Sequence, residues 1–465
     1  MGGNFTPFEW LVVVQHELLL FAGVFFLIGA LDEFAVDCLW LWLRLTGRTR
    51  EPVLIDSPPA ALRGPVALLI PACQEERVIG TTIRHVLMAW PQAELRLFVG
   101  CYRNDSATRE KAEAACAPDD RATVVTLDID GPTTKPDCLN RLVRALQREE
   151  AAGSWRARMI VIHDAEDMVD PAALGLLDQA IGDVEAAQVP VLPAIPAYVR
   201  WIGSHYADEF AESHGKAMVV RDALGAALPL AGVGCALRRD VVDTLAADND
   251  GAGPFAAQSL TEDYELGLAV AQHGGRARFL RYRHPDGRLV ATRAFFPATL
   301  AQAVRQKARW VHGIAFQSWE RMGWVLTPLE IWMRLHDRRG PISALVLAAG
   351  YLLLVLSGFL IVAAWLGWSV LVPLTPVLQF LVLANLFSLL WRLLFRACFT
   401  AREYGWREGL RAVPRMVVSN IIAIMAGRRA VFAYARTLRG APVVWDKTAH
   451  VAHPADHATP MSAAE

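Results

Sequence analysis

From Pro65 onward, short apolar runs alternate with segments of helical period: "VALLIPA" then Glu76 to Met88, "LRLFVGC" then Ala107 to Ala115, "ATVVTLDI" then Pro136 to Glu149, and "RMIVI" then Pro171 to Ile181. Short unbroken apolar runs read as strands buried on both faces. Four strand and helix units in series predict a mainly parallel α/β sheet with helices on both sides. Such sheets bind ligands at the carboxyl ends of their strands. That rule gathers "CQEE", "CYRND" and "HDAED", the stretches after the first, second and fourth runs, around one crevice. The pattern then loosens through "AGVGCALRRD" and "LTEDYELG" and closes on an amphipathic run from Pro297 to Met322.

Either side of this region the pattern is that of lipid. Leu11 to Leu31, Ile342 to Trp368 and Leu371 to Trp391 are each apolar enough to span a bilayer as helices. Gln15, His16 and Glu17 interrupt the first, which requires an interfacial position or another helix to face. A fourth stretch, Val417 to Ala426, is only about half a membrane thick. With Arg411, Arg415, Arg428 and Arg429 around it, it reads as an interfacial or re-entrant helix. "FAVDCLWLWLRL", after Asp32 and Glu33, is expected to lie along the inner surface. Arg44, Arg48 and Arg50 follow the first span, Arg334, Arg338 and Arg339 precede the second, and Arg392, Arg396 and Arg402 follow the third. By the positive-inside rule the N-terminus lies outside and the α/β region in the cytoplasm. The organisation expected is residues 1–50 as anchor and interfacial helix, 51–335 as the cytosolic domain, 336–430 as the C-terminal membrane segments, and 431–465 as a partly disordered cytosolic tail.

Composition agrees with that division: 54% of the 465 residues are hydrophobic, high for a soluble enzyme. The 46 basic residues nearly cancel 47 acidic ones, a balance that argues against nucleic acid as a partner. Seven scattered cysteines without a C-x-x-C pair read as reduced thiols rather than a metal site. The first apolar segment lacks a basic n-region and reads as a retained anchor.

Three polar groups carry candidate chemistry. In "HDAED", alternate carboxylates of Asp164 and Glu166 can point at one divalent cation that bridges phosphate oxygens, although loop acids also cap helices, as Asp170 before Pro171 is placed to do. In "TEDYELG", Asp263 is either a helix-start acid favoured by the dipole or a general base for a hydroxyl. In "RQKARWVHG", Gln306, Arg309 and Trp310 share one helical turn, as a sugar platform with a phosphate-facing guanidinium or as the basic face of a helix on the inner leaflet.

Their order and spacing (a strand, "HDAED", "TED", "QKARW", then membrane helices) resemble a membrane-embedded family-2 glycosyltransferase of GT-A fold, the class that includes cellulose and chitin synthases. The resemblance covers about Pro65 to Met322. More narrowly, "GPTTKPDCLN", "RQKARWVHGIAFQSWERMGW" and "GAPVVWDKTAH" are similar to a phage-adsorption branch of that family, inner-membrane proteins associated with making a surface glycan, and this similarity runs to about His450. The resemblance implies that Asp164 and Glu166 hold Mg²⁺ or Mn²⁺ on a sugar nucleotide and that Asp263 is the base. It assigns Gln306, Arg309, Trp310 and Glu262 to the acceptor and departing diphosphate. Lys135 and Glu75 fall at nucleotide-contacting positions, and Gly232 and Gly234 in a loop that the acceptor approaches. Asn104 and Asp105 match only approximately the family's acidic pair after the second strand, with Tyr102 as an alternative stacking partner for the base. The implied reaction is inverting transfer of an N-acetylhexosamine from a UDP-sugar to a growing glycan. The alternatives are a polyprenyl-phosphate glycosyltransferase that passes a single sugar to the lipid phosphate, and a non-catalytic scaffold of an export or phage-receptor complex; the acceptor implied is a glycan or lipid-linked. Three spans are few for a channel, which implies a partner protein or a homo-oligomer.

Overall fold

The computed structural model describes residues 6–54, 61–196, 201–249, 251–368, 372–441 and 452–456. The chain starts with α1 (Pro7–Leu45) and then enters the alternating region. There, β1 (Val66–Ala72), α2 (Ile79–Ala89), β2 (Leu95–Tyr102), α3 (Ser106–Cys116), β3 (Ala122–Leu127), α4 (Lys135–Gly153), β4 (Met159–Ile162) and α5 (Ala173–Ala180) follow the expected order. Next come β5 (Ala186–Gln188), α6 (Ser204–Glu212), α7 (Met218–Leu224), β6 (Cys235–Arg238), α8 (Arg239–Asp248), α9 (Glu262–Gln272) and β7 (Ala277–Phe279). The chain continues through α10 (Leu300–Val311), α11 (Ser318–Met322) and α12 (Pro328–Arg338) into α13 (Gly340–Trp365), α14 (Pro376–Tyr404) and α15 (Trp406–Thr437).

Among the described residues one seven-stranded sheet results, in the order β3-β2-β1-β4-β6-β5-β7. The four strands legible as apolar runs pair in parallel; β6 runs antiparallel to both β4 and β5. Val66 to Ile70 are completely buried because helices cover both faces. The carboxyl ends of β1 and β4 lie side by side, Leu69 opposite Ile162, so the loops that follow them share one rim of the sheet.

Among the described residues four helices, α1, α13, α14 and α15, are long and apolar enough to cross a membrane. Two of them correct the expectation. The first is α1, one continuous helix of 39 residues rather than a span followed by a separate interfacial piece. The acids that seemed to end it are neutralised from afar. Asp32 accepts from Trp332 and His336 and pairs with Arg339, Glu33 also pairs with Arg339, and Asp37 meets Lys216 at 2.5 Å. Gln15 faces another helix, donating to Ser357 at 2.9 Å. The second is α15, which continues for 32 residues instead of about ten. Arg415 is not a helix-ending interfacial charge, because it is buried against Asp208 of α6 at 2.7 Å and Glu408 at 2.6 Å. Farther along α15, Ser419 donates to Glu209, Ile422 packs on Ala303 and Val304, and Tyr434 stacks on Phe316 with ring centroids 4.5 Å apart. Leu371, the first residue of the expected third span, lies outside the described residues, and α14 extends well beyond Trp391 to Tyr404.

Candidate active site

The "HDAED" loop leaves β4 with the alternation of a strand: His163, Ala165 and Asp167 are buried, while Asp164 and Glu166 remain half-exposed on the cavity side. Asp167 works inward, its Oδ2 accepting from His163 Nδ1 at 2.8 Å and from the Asp164 N–H at 2.9 Å. Asp170 accepts from the Ala172 N–H and from His284 Nε2, both at 3.0 Å. These two acids therefore shape the turn, while Asp164 and Glu166 line the cavity.

Lys135 opens α4, where Thr134 caps the helix by accepting the Asp137 N–H. Its ammonium lies 2.5 Å from Asp164, donates to the Gly232 carbonyl at 3.1 Å and stands 3.9 Å from Glu262. Gly232 has a φ of +72°, and a Cβ there would meet Asp263 Oδ2 at 2.8 Å. A glycine is required both for the left-handed backbone and for this approach. Burial would discharge the Lys135 ammonium, but Asp164, Glu262 and Asp263 more than reverse this and hold it protonated. Burial raises the carboxyls of Glu262 and Asp263; mutual repulsion adds to this at Glu262, and Lys135 opposes it at both.

On α10, Gln306, Arg309 and Trp310 face the same cavity. Trp310 stands edge-on to Tyr206 with centroids 5.9 Å apart, and Arg309 is close enough to lower the Asp263 carboxyl somewhat. Lys307 does not lie on a lipid surface: both oxygens of Glu209 take it at 2.6 Å. After α10 the helix widens into a π-turn over His312–Gln317, which brings Gly313 against Thr261 and Gln317 against the preceding loop. Gln317 accepts the Leu260 N–H at 2.9 Å and donates to the Gln258 carbonyl at 2.8 Å. It thus staples the "TED" segment to the helix of Arg309. Sequence reading missed it, because an amide in an amphipathic run carries no spacing signal. Gln317→Ala is expected to lower kcat about 10- to 100-fold with KM for the donor nearly unchanged, since a small misplacement of a base costs about that much. Initial-rate kinetics check this, and an unchanged kcat would remove the staple from the account.

The cavity that gathers these groups measures about 450 Å³ and is lined by Glu75, Lys135, Asp164, Glu166, Glu262, Asp263, Gln306, Arg309 and Trp310 among others. Gly232 and Gly234 shape the wall beneath it, the latter with a φ of +62° against Val189 and Thr292. Asp105 is absent from the lining: it caps α3 by accepting the Thr108 N–H at 3.3 Å and holds the Gln74 N–H at 2.5 Å. Asn104 closes reciprocal 2.8 Å hydrogen bonds with Gly131, and buried Tyr102 donates or accepts at Thr133 Oγ1 while lining the cavity. Residues 442–450 of "GAPVVWDKTAH" lie outside the described residues.

Among the described residues no group of three or more His, Cys, Asp or Glu side chains is arranged to hold a metal. Two carboxylates beside a free cavity do fit Mg²⁺ or Mn²⁺ arriving with a diphosphate, because these ions take one or two protein carboxylates and complete their shell with phosphate and water.

A mostly parallel sheet carrying such a carboxylate loop beside a lysine, a buried acid and an arginine has the GT-A-like fold of nucleotide-sugar glycosyltransferases. The chain belongs to glycosyltransferase family 2: residues 63–313, just over half of it, match the family model described as "Glycosyltransferase like family 2". It is 31% identical over 478 residues to "Bacteriophage adsorption protein B" of Escherichia coli K12, and equally to "Bacteriophage N4 adsorption protein B" of E. coli O157:H7. Each alignment covers 95% of this chain and 62% of the relative, so the chain spans under two thirds of their length. Among solved structures, the mannosyltransferase PcManGT from Pyrobaculum calidifontis, in complex with GDP-Man and Mn²⁺, superposes with a TM-score of 0.52 at 16% identity. That superposition covers 90% of this chain and 99% of the other. The enzyme class expected from the motifs is therefore shown, as is the GT-A-like fold.

Proposed function

We propose that this family-2 enzyme performs inverting transfer of an N-acetylhexosamine from a UDP-sugar to a growing surface glycan. The observation that carries the reading is the convergence of Lys135 and Asp263 on Gly232, with Asp164 paired to Lys135 and Arg309 facing the same space. Asp164 and Glu166 would hold the divalent cation, as the Mn²⁺ of the superposed mannosyltransferase supports. Bound there, such an ion supplies Lewis-acid neutralisation of the diphosphate. Lys135 and Arg309 add fixed positive charge where the leaving group gathers negative charge. Asp263 takes the proton of the acceptor hydroxyl as its oxygen attacks the anomeric carbon and the bond to the diphosphate breaks. Trp310, braced by Tyr206, offers the acceptor sugar an aromatic face, and Gln306 and Glu262 offer it polar contacts.

In the proposed arrangement the N-terminus lies outside a bacterial inner membrane and the α/β region inside. Helix α15 lies at the inner interface, a reading supported by its ion pairs and packing to α6 and α10. A lipid-linked acceptor is the second reading, favoured by the cavity reaching Val36 of α1 and Met333 of α12. Purified full chain incubated with Mn²⁺ and a panel of UDP-, GDP- and dTDP-sugars is expected to release nucleotide from a UDP-N-acetylhexosamine. Label recovered in polymer supports the first reading, and label in one lipid-linked sugar supports the second. No release from any donor would overturn both.

A further inference from the structure

The loop bearing Asp164 and Glu166 is braced from behind through its carbonyl groups. Thr82 Oγ1 donates to Ala165 at 2.5 Å, His85 Nε2 meets Val169 at 2.9 Å, and Trp90 Nε1 donates to Asp170 at 3.0 Å. All three donors come from α2 or the residue that ends it. Between them, the Met168 carbonyl accepts the Arg293 N–H at 3.0 Å, and that of Asp167 is taken by a residue 286 positions later in the chain: His453 Nε2, at 3.1 Å.

His453 belongs to the tail that the sequence suggested would be partly disordered, yet it is 0% exposed. Its Nδ1 accepts the Ala455 N–H at 3.0 Å, so the ring proton resides on Nε2 and is donated to the loop. Pro454 is buried beside it, and Asp456 accepts from Thr81 Oγ1 of α2 at 3.2 Å. Residues 452–456 thus dock on the same helix that supplies the other three side-chain donors. The docked histidine completes the brace at Asp167, whose carboxylate in turn fixes the Asp164 N–H.

We propose that His453 is a positioning residue for nucleotide and metal binding: docking of residues 452–456 holds Asp164 and Glu166 in their cavity-facing arrangement. The inference rests on the metal role proposed above for those two acids. Outer groups that orient ligands change metal affinity about 10- to 100-fold when removed.

Two measurements on the purified full chain test it. In His453→Ala, hydrogen exchange at the amides of residues 164–167 is expected to accelerate about tenfold or more while β1 keeps wild-type protection. In a Mn²⁺ titration followed by electron paramagnetic resonance with UDP present, the apparent Kd is expected to rise by about tenfold. His453→Gln, which keeps an N–H donor, is expected to recover part of both effects and to show wild-type thermal unfolding. Wild-type exchange in the loop together with wild-type Mn²⁺ affinity in His453→Ala would overturn the proposal. Absence of Mn²⁺ uptake by the wild type with UDP or GDP would instead fail the metal reading, and the exchange measurement alone would then decide whether His453 holds the loop.

Discussion

Asp263→Asn is expected to lower the transfer rate about 10³-fold while leaving binding of Mn²⁺ and nucleotide within about twofold. A positioned general base contributes that order of rate, and asparagine keeps the shape but cannot take the proton. The geometry isolates the effect. Asp263 Oδ1 accepts the Tyr264 N–H at 2.8 Å, so Oδ2, beside Gly232, is the atom available to a hydroxyl. Burial raises this carboxyl, and a raised carboxyl is a stronger base than an exposed aspartate. Activity is accordingly expected to fall on acidification with a midpoint above the ordinary aspartate range. The sign for stability is opposite: a carboxyl that keeps its proton longer when folded contributes less as pH rises through its folded value. Single-turnover kinetics with titration of nucleotide binding check the substitution. Retained turnover would remove Asp263 as the base, and loss of nucleotide binding would make it a structural acid.

Arg415→Met is expected to destabilise the protein by about 3–5 kcal/mol, the usual result of leaving a buried charge without its partner. Arg415 and Asp208 are 0% and 2% exposed, and Glu408 shares the guanidinium. Burial already pushes the Asp208 carboxyl up to about 6 despite Arg415, so removing the arginine raises it further. The deficit should therefore be smaller at pH 5 than at pH 8, because protonating Asp208 relieves the stranded charge. Arg415→Met combined with Asp208→Leu is expected to recover much of the loss. Thermal unfolding in detergent at the two pH values tests both statements, and a pH-independent loss would point to packing rather than charge.

Three of the first four strands, β1, β2 and β4, were legible because they are buried on both faces and therefore almost wholly apolar, whereas β3, a partly exposed edge strand, was legible only from the apolar residues it keeps. β5 and β7 were not, since three residues each leave no periodicity to read. The antiparallel β6 was visible as a motif, but its direction depends on the α6 and α7 crossover before it. Asp32, Glu33 and Asp37 made α1 look interrupted because their partners Arg339, His336 and Lys216 are remote in sequence. The same remoteness disguised Arg415. In the site, each motif was readable while the distances between motifs were not. The contact of Lys135 with Asp164 and the closeness of Gly232 to Asp263 are products of the fold. Asp105 shows the reverse: the right residue type near the right strand is engaged in capping a helix. His453 was hidden by the polar composition of the segment around it.

The uninterrupted course of α1 also makes it a ruler. At about 1.5 Å per residue its 39 residues measure roughly 58 Å, nearly twice the roughly 30 Å apolar thickness of a bilayer. Val36, which lines the active cavity, stands five residues past Leu31, the end of the apolar stretch, or roughly 8 Å along the rod. In the proposed orientation the working depth of the enzyme is set by one rigid shaft. Sugar would then join its acceptor at the height of the lipid headgroups, with almost no water for the lengthening chain to cross.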